Sequence, residues 1–133
     1  MVVLDSWALL AYLKDEPSAE RIEAEWLVGV PAISSINLGE ALYMRVRERG
    51  EEAAAKEIAT IRKRSTIIDP DWGLVSAAAR IKAGGGLSYA DAFCVVTAQR
   101  LGVPLWTGDP EIIHRADDLS CEVVDLRAAD RRS

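Results

Sequence analysis

The sequence predicts a single α/β domain, an α/β/α sandwich in which helices cover both faces of a short, mainly parallel central sheet. Two observations predict this class. Short apolar runs alternate with amphipathic stretches along the whole chain, and neither an internal repeat nor a linker divides it. A length of 133 residues fits one domain, which we expect to span residues 1–133, and half of these residues are hydrophobic, enough to form a core.

The first half of the chain predicts two strands, each followed by two helices. Apolar residues at helical spacing follow each apolar run, and Gly50 is a natural end for the third helix. In order, the expected elements are a strand at 1–4, a helix carrying Trp7, Leu10, Ala11 and Leu13, a helix that starts at Pro17 with Ile22, Trp26 and Leu27 on its apolar face, a strand at 30–33, a helix from Ile36 to Gly50, and a helix at 51–64.

The second half continues the same alternation. Three consecutive glycines at 84–86 must interrupt a helix, and we expect a mobile loop there. In order, the expected elements are a strand at 66–68, a helix carrying Trp72, Val75, Ala78 and Ile81, the glycine loop, a strongly apolar central helix at 90–101 that ends at Gly102, a strand at 103–106, a short helix after Pro110, a strand at 122–126 and a polar tail.

Composition excludes several kinds of site. Cys94, Cys121 and the single histidine, His114, rule out a disulfide framework, a zinc cluster and a histidine-based catalytic centre. No segment approaches the roughly 20 apolar residues of a membrane span, and the chain does not open like a signal peptide, so we expect a cytoplasmic protein. Any chemistry must therefore depend on carboxylates, hydroxyls, amides or a metal.

The net charge of −5 argues against a polyanionic partner, because phosphate contacts normally come from a basic surface. Bound metal changes this balance, since two divalent ions would bring −5 to about −1. A nucleic-acid substrate is therefore not excluded.

Four acidic residues stand near the starts of predicted helices: Asp5, Glu40, Asp91 and Asp109. Each can be explained by helix capping alone. Ser88 and Asp91 match the capping box, Asn37 and Glu40 have the same form, and Asp5 and Asp109 can be N-caps. Capping does not require the acids to converge, however, and carboxylates gathered at the carboxyl ends of parallel strands repel one another without a cation. Together they favour a divalent metal site.

These motifs, in this order, resemble the PIN-domain family, a metal-dependent ribonuclease fold, and most closely its VapC-type toxin branch. The resemblance covers nearly the whole chain. Trp7 departs from it, because the family often has a small polar residue at this position, and we interpret Trp7 as a core residue. The matching segments are Asp5-Ser6, Asn37-Leu-Gly-Glu40, Ser88-Tyr-Ala-Asp91-Ala92 and Thr107-Gly108-Asp109.

The resemblance implies an Mg²⁺- or Mn²⁺-dependent endoribonuclease, the toxin of a toxin–antitoxin pair, that binds RNA and a cognate antitoxin and forms a homodimer. Asp5 and Asp91 are the expected direct ligands, while Glu40 and Asp109 hold the water molecules of the metal or a second ion. We expect Ser6, Asn37 and Thr107 to orient the carboxylates and Lys82 and Arg80 to contact RNA. Trp26, Tyr43 and Met44 belong either to an exposed apolar patch or to the core.

Two other functions remain open at this stage. A receiver-like phosphoacceptor domain also gathers carboxylates and Mg²⁺ at a parallel sheet edge, but it needs a lysine after a late strand, where this chain has Thr107-Gly108-Asp109. A non-catalytic PIN-like binding or scaffold module would be expected to lack one of the acids, and all four are present.

Overall fold

A five-stranded parallel sheet forms the centre of the molecule. The computed structural model describes residues 1–127, so all but the first residue of the predicted polar tail lies outside it. The strand order is β3-β2-β1-β4-β5, and every pairing is parallel. The strands are β1 (Val3–Leu4), β2 (Ala32–Ser34), β3 (Thr66–Ile68), β4 (Leu105–Thr107) and β5 (Val123–Asp125).

Helices cover both faces of this sheet, which confirms the predicted fold class. Their bounds are α1 (Ser6–Leu13), α2 (Ala19–Val28), α3 (Ser35–Arg49), α4 (Glu51–Arg64), α5 (Trp72–Ala83), α6 (Tyr89–Leu101) and α7 (Pro110–His114), with a 3₁₀ turn at Ala116–Asp118. The strand order differs from the 2-1-3-4-5 order of receiver-like domains, so that alternative is wrong.

Successive strand residues point into different cores, as the two-residue period of a strand requires. On β1, Val3 belongs to the core beneath α6 and α7, and Leu4 belongs to the core beneath α1 to α4. On β4, Leu105 lies in the same core as Val3, and Trp106 lies in the same core as Leu4. Both faces of the sheet are therefore buried, and polar side chains gather where the strands end.

Helix α6 is the central helix, as its apolar sequence predicts. Every residue from 91 to 98 is buried. The helix packs against β1, β2 and β4 on one side and against α5 on the other. Gly102 ends it in the left-handed conformation (φ 65°), which a glycine adopts without strain. The N-terminus of α6 is thereby fixed at the carboxyl ends of the strands.

The start of α3 differs from the prediction. Strand β2 ends at Ser34 and runs directly into the helix, where the Ser34 hydroxyl accepts from the Ile36 N–H (3.3 Å). The prediction that Asn37 caps this helix with Glu40 is therefore wrong, because Asn37 already lies within the first helical turn and is fully buried.

Two apolar residues lie outside the faces predicted for them. Trp72, the first residue of α5, is 78% exposed, because the helix buries Leu74 and Ala78 instead. Leu27, near the end of α2, is exposed for the same kind of reason, since that helix buries Ala19 and Ile22. Among residues 1–127, no helix is both long and apolar enough to cross a membrane.

The glycine segment 84–86 interrupts the chain between α5 and α6, as expected. Gly85 and Gly86 have φ values of 80° and 84°, which glycine tolerates. The Arg115 guanidinium donates to the Gly85 carbonyl, and Lys82 Nζ donates to the Leu87 carbonyl (3.0 Å). The loop is thus tied at two points, and its mobility stays a prediction.

Candidate metal centre

Asp5 lies at the deepest point of the acidic site, directly after β1. It is the N-cap of α1, where one carboxylate oxygen accepts from the Ala8 N–H (2.9 Å). Its other oxygen accepts from the hydroxyl of Thr107, the last residue of the neighbouring strand β4. Only 1% of Asp5 is exposed. The predicted N-cap is confirmed, and the two strand ends meet as parallel pairing requires.

Thr107 connects Asp5 to Asp109. The Thr107 hydroxyl accepts from the Asp109 N–H (2.9 Å) while it donates to Asp5. The Asp109 carboxylate then caps α7 by accepting from the Glu111 N–H (2.8 Å), with Pro110 as the first helical residue. The predicted Asp109 cap is confirmed, and one hydroxyl orients both acids.

Asp91 enters the site from the N-terminus of α6. The predicted capping box is confirmed: the Asp91 N–H donates to Ser88 Oγ (3.1 Å), and the Ser88 N–H donates to Asp91 Oδ2 (3.3 Å). Asp91 is 5% exposed. Ser88 thus holds both the backbone and the carboxylate of Asp91 at the start of α6.

Glu40 approaches from α3 and is held by Ser6, whose hydroxyl donates to Glu40 Oε1. Ser6 is the first residue of α1, directly after Asp5. The Ser6 hydroxyl therefore contacts a carboxylate of the site, as the sequence predicts.

A fifth acid, Glu111, was missed at the sequence level. Asp91, Asp109 and Glu111 each offer a carboxylate oxygen, and these oxygens all lie within 4.8 Å of one another. Glu111 is exposed in the first turn of α7, where a negative charge also favours the helix dipole. Its only sequence signal was its place two residues after Asp109, and that signal does not separate a ligand from an ordinary helix-start acid.

Burial makes ionisation of two of the acids unfavourable. Desolvation raises the pKa of Asp5 to about 7, although hydrogen bonds from Thr107 and Ala8 act in the opposite direction. Burial, followed by the charge of Asp109, raises the pKa of Asp91 to about 6. Neutral donors alone do not compensate the two carboxylates, and a bound cation would favour their ionised forms.

Four of the acids, Glu40, Asp91, Asp109 and Glu111, line an open cleft of about 480 Å³. Carboxylates line one part of it, and apolar side chains line another. None of the described residues that line the cleft is a lysine, arginine or histidine. The lining residues are Ser6, Trp7, Leu10, Glu40, Met44, Ser88, Asp91, Asp109, Pro110 and Glu111.

Three predicted site residues lie apart from the carboxylates. Asn37 donates from Nδ2 to the Ala90 carbonyl (3.0 Å), and its buried Oδ1 has no partner among the described residues. Asn37 therefore joins α3 to the start of α6 instead of contacting an acid. Lys82 is bonded to the loop carbonyl of Leu87, and neither Lys82 nor Arg80 lines the cleft.

The three side chains considered as an apolar patch occupy three different environments. Trp26 packs against the core and against the Tyr12 ring (centroids 4.9 Å apart). Met44 lines the acidic cleft, and Tyr43 is exposed beneath the Arg47 guanidinium. They form neither a single patch nor a single core cluster.

Comparison with known families agrees with this geometry. Residues 2–119 match the family described as the PIN domain. The chain belongs to the PIN-domain family. This match covers most of the sequence and includes Asp5 and the four acids that line the cleft, and the family predicted from the sequence motifs is confirmed. Among curated proteins, none matches the sequence.

Several solved structures of VapC-type toxins have the same fold. VapBC2 from Rickettsia felis, solved with a promoter DNA fragment, is 18% identical with a TM-score of 0.73, covering 94% of this chain and 98% of that one. VapC20 from Mycobacterium tuberculosis, described as a Sarcin-Ricin loop cleaving toxin, is 17% identical with a TM-score of 0.70 (86% and 94%). VapBC-1 from nontypeable Haemophilus influenzae is 18% identical with a TM-score of 0.71 (96% and 99%). At these identities the likeness concerns the fold alone.

Proposed function

We propose that this PIN domain is an Mg²⁺- or Mn²⁺-dependent endoribonuclease and the toxin of a toxin–antitoxin pair. One observation carries the proposal. Carboxylates from α3, α6 and the start of α7 converge on one cleft, and none of the described lining residues is a basic side chain that would neutralise them. Such an arrangement is unfavourable for folding alone and is typical of a cation-dependent site.

The donor set fits a hard divalent cation. The cleft offers carboxylate and hydroxyl oxygens, and none of the described residues that line it is a histidine or cysteine, which favours Mg²⁺ or Mn²⁺ over zinc or copper. Asp91, Asp109 and Glu111 form the group best placed to hold the ion, because their carboxylate oxygens lie close together. Asp5, which directly follows β1, is the other proposed ligand. Glu40 would orient a water molecule or hold a second ion.

Hydrolysis of a phosphodiester needs an activated water molecule and compensation of the negative charge that develops on the phosphoryl oxygens. A divalent cation supplies both when it is bound. The residues of the chain hold the carboxylates in position around the proposed metal site. Thr107 fixes Asp5 and Asp109 through one hydroxyl, Ser88 fixes Asp91, and Ser6 fixes Glu40. Because the carboxylates of Asp5, Glu40, Asp91 and Asp109 are held by neighbouring donors, this part of the site needs little rearrangement to bind its ligand.

The proposed partners are RNA as substrate, a cognate antitoxin protein and a second copy of this chain. Support for the antitoxin comes from the solved relatives, several of which are named as VapBC or toxin–antitoxin complexes. The name of VapC20 supports RNA as the substrate class. The homodimer rests on the resemblance to VapC-type toxins.

The decisive test is cleavage of RNA by the purified chain, free of any copurifying protein. Total RNA incubated with Mg²⁺ or Mn²⁺ should be cut, and EDTA should prevent the cutting. Asp91→Asn should lower the rate by about 100-fold, as expected when the protein's hold on the metal is weakened.

Asp117→Asn is the matched control, because Asp117 is an exposed acid outside the cleft. It should cut RNA at the wild-type rate. If no metal supports cleavage by the wild-type chain, the nuclease proposal is wrong and the scaffold function is favoured.

A further inference from the structure

Trp7 forms an aromatic wall of the acidic cleft. We infer that its indole is a base-binding platform, on which a nucleobase next to the scissile phosphate stacks. This inference rests on the proposed RNA cleavage and specifies how the same site holds its substrate.

The charge of the cleft makes such a platform necessary. Nucleic-acid sites usually gain affinity from lysine and arginine contacts to phosphate, but none of the described residues lining this cleft is basic. A cation among the acids can hold one phosphate and leaves the adjacent nucleoside without a partner. Stacking on an aromatic ring supplies affinity without charge, and it accepts every base because each base has a π face.

The position of the indole is fixed by Gly108. A Cβ atom at residue 108 would lie only 2.3 Å from Cε2 and Cζ2 of Trp7, so the ring packs directly against the glycine backbone. Gly108 lies between Thr107 and Asp109, which belong to the acidic site. The ring is therefore held at a set position relative to the carboxylates, and stacking on it loses little conformational entropy.

The apolar surface also continues away from the acids. Trp7, Leu10 and Met44 line both the acidic cleft and an adjoining groove of about 360 Å³. Trp7 packs against the core, as expected from the sequence, but it stays partly exposed on this side. A phosphate held at the carboxylates would thus have an apolar surface beside it for the attached base.

Abasic substitution tests the contact one nucleotide at a time. A nine-nucleotide single-stranded RNA of mixed sequence, and nine versions with one base removed, are titrated by fluorescence anisotropy in Ca²⁺, a cation that also prefers oxygen ligands. For the wild-type chain, one abasic position should weaken binding about 5- to 150-fold. Trp7→Leu should bind the intact RNA more weakly by a similar factor and become insensitive to that one abasic position.

Two further variants complete the design. Trp72→Leu is the matched control, since Trp72 is exposed and does not line the cleft, and it should behave like the wild type. Trp7→Phe keeps an aromatic face that fits within the volume of tryptophan. It should retain part of the loss of affinity that the wild type shows at the one sensitive abasic position. If thermal unfolding shows that Trp7→Leu does not fold, Trp7→Phe provides the test.

The outcomes separate the inference from the proposed function. If Trp7→Leu and Trp7→Phe keep the full wild-type penalty at every abasic position, the platform is disproved, even where Mg²⁺-dependent cleavage is observed. If a Trp7-dependent penalty is found but no metal supports cleavage, the inference is supported and the nuclease proposal fails.

Discussion

Two buried charged clusters in this molecule are built in opposite ways. Between α3 and α4, Arg45 is 5% exposed and donates to both carboxylate oxygens of Glu57 (3.2 and 2.9 Å) and to Glu48 (2.8 Å). In the acidic site, the equally buried Asp5 and Asp91 accept hydrogen bonds from neutral donors alone among residues 1–127, and other carboxylates lie close to them. One cluster contains its own counter-charge and the other does not.

The difference separates a structural from a functional use of charge. Arg45 and its two glutamates join the α3–α4 hairpin, and their charges compensate one another within the fold. In the cleft, burial, followed by the charges of Asp109 and Glu40, raises the pKa of Asp91, which is unfavourable for the fold without a cation. Helix α3 takes part in both clusters, through Glu40 and Arg45. The hairpin cluster therefore also supports the element that carries Glu40.

The first prediction concerns Arg45, whose positive charge compensates the glutamates of the α3–α4 hairpin. Arg45→Met should destabilise the protein by about 3 kcal/mol, because it leaves Glu57 partly buried without its bidentate partner. Urea unfolding followed by circular dichroism measures this change. Activity per folded molecule should stay near the wild-type value, since Arg45 does not line the cleft.

Arg49→Met is the control for this experiment. Arg49 pairs with the same glutamate, but at 3.7 Å and from a mostly exposed position, so we expect a loss below about 1 kcal/mol. Equal losses for the two variants would contradict the assignment of a buried, compensated cluster.

The second prediction concerns the buried carboxylate of Asp5, which a substitution replaces with a neutral amide. Because burial raises the pKa of Asp5 from 3.8 to about 7, the folded chain binds an extra proton between these values. The associated stability is fully present below pH 4 and is lost as the pH rises through 7. In EDTA, Asp5→Asn should therefore stabilise the chain relative to wild type by about 2 kcal/mol at pH 8 and by much less at pH 5.

The measurement is the urea midpoint of both proteins across this pH range. The asparagine side chain can still cap α1 through its oxygen, but its amide nitrogen cannot accept from the Thr107 hydroxyl as the Asp5 carboxylate does. Because that loss is the same at every pH, the pH dependence of the difference isolates the charge. The same variant should lose RNA cleavage. If the difference in stability between the two proteins does not change with pH, then burial does not make ionisation of Asp5 unfavourable.

How far the sequence predicts the site depends on the kind of local signal. Asp5, Asp91 and Asp109 were predictable because each follows a strand or opens a helix, and their caps are local structures that neighbouring residues define. Thr107 was also within reach, since parallel pairing of β1 and β4 brings its hydroxyl to Asp5.

The misses have a common cause in tertiary packing. The contact from Asn37 to Ala90 depends on helix α3 starting directly at the end of β2, with its N-cap at Ser34, three residues before the cap predicted at Asn37. Trp7 could be predicted to pack, but not to lie against Gly108, which is about a hundred residues away. Glu111 looked like any first-turn acid until α7 was placed beside α6.

The third prediction concerns Glu111 and has the smallest expected effect. Glu111→Gln should weaken Mn²⁺ binding about tenfold, measured by isothermal titration calorimetry, because it removes one of three grouped carboxylates. Glu20→Gln is the matched control, since Glu20 is also an exposed acid in a first helical turn and loses the same dipole interaction. If both variants bind Mn²⁺ like the wild type, Glu111 belongs with the ordinary helix-start acids, and the uncompensated cluster is limited to the four acids of the sequence motifs.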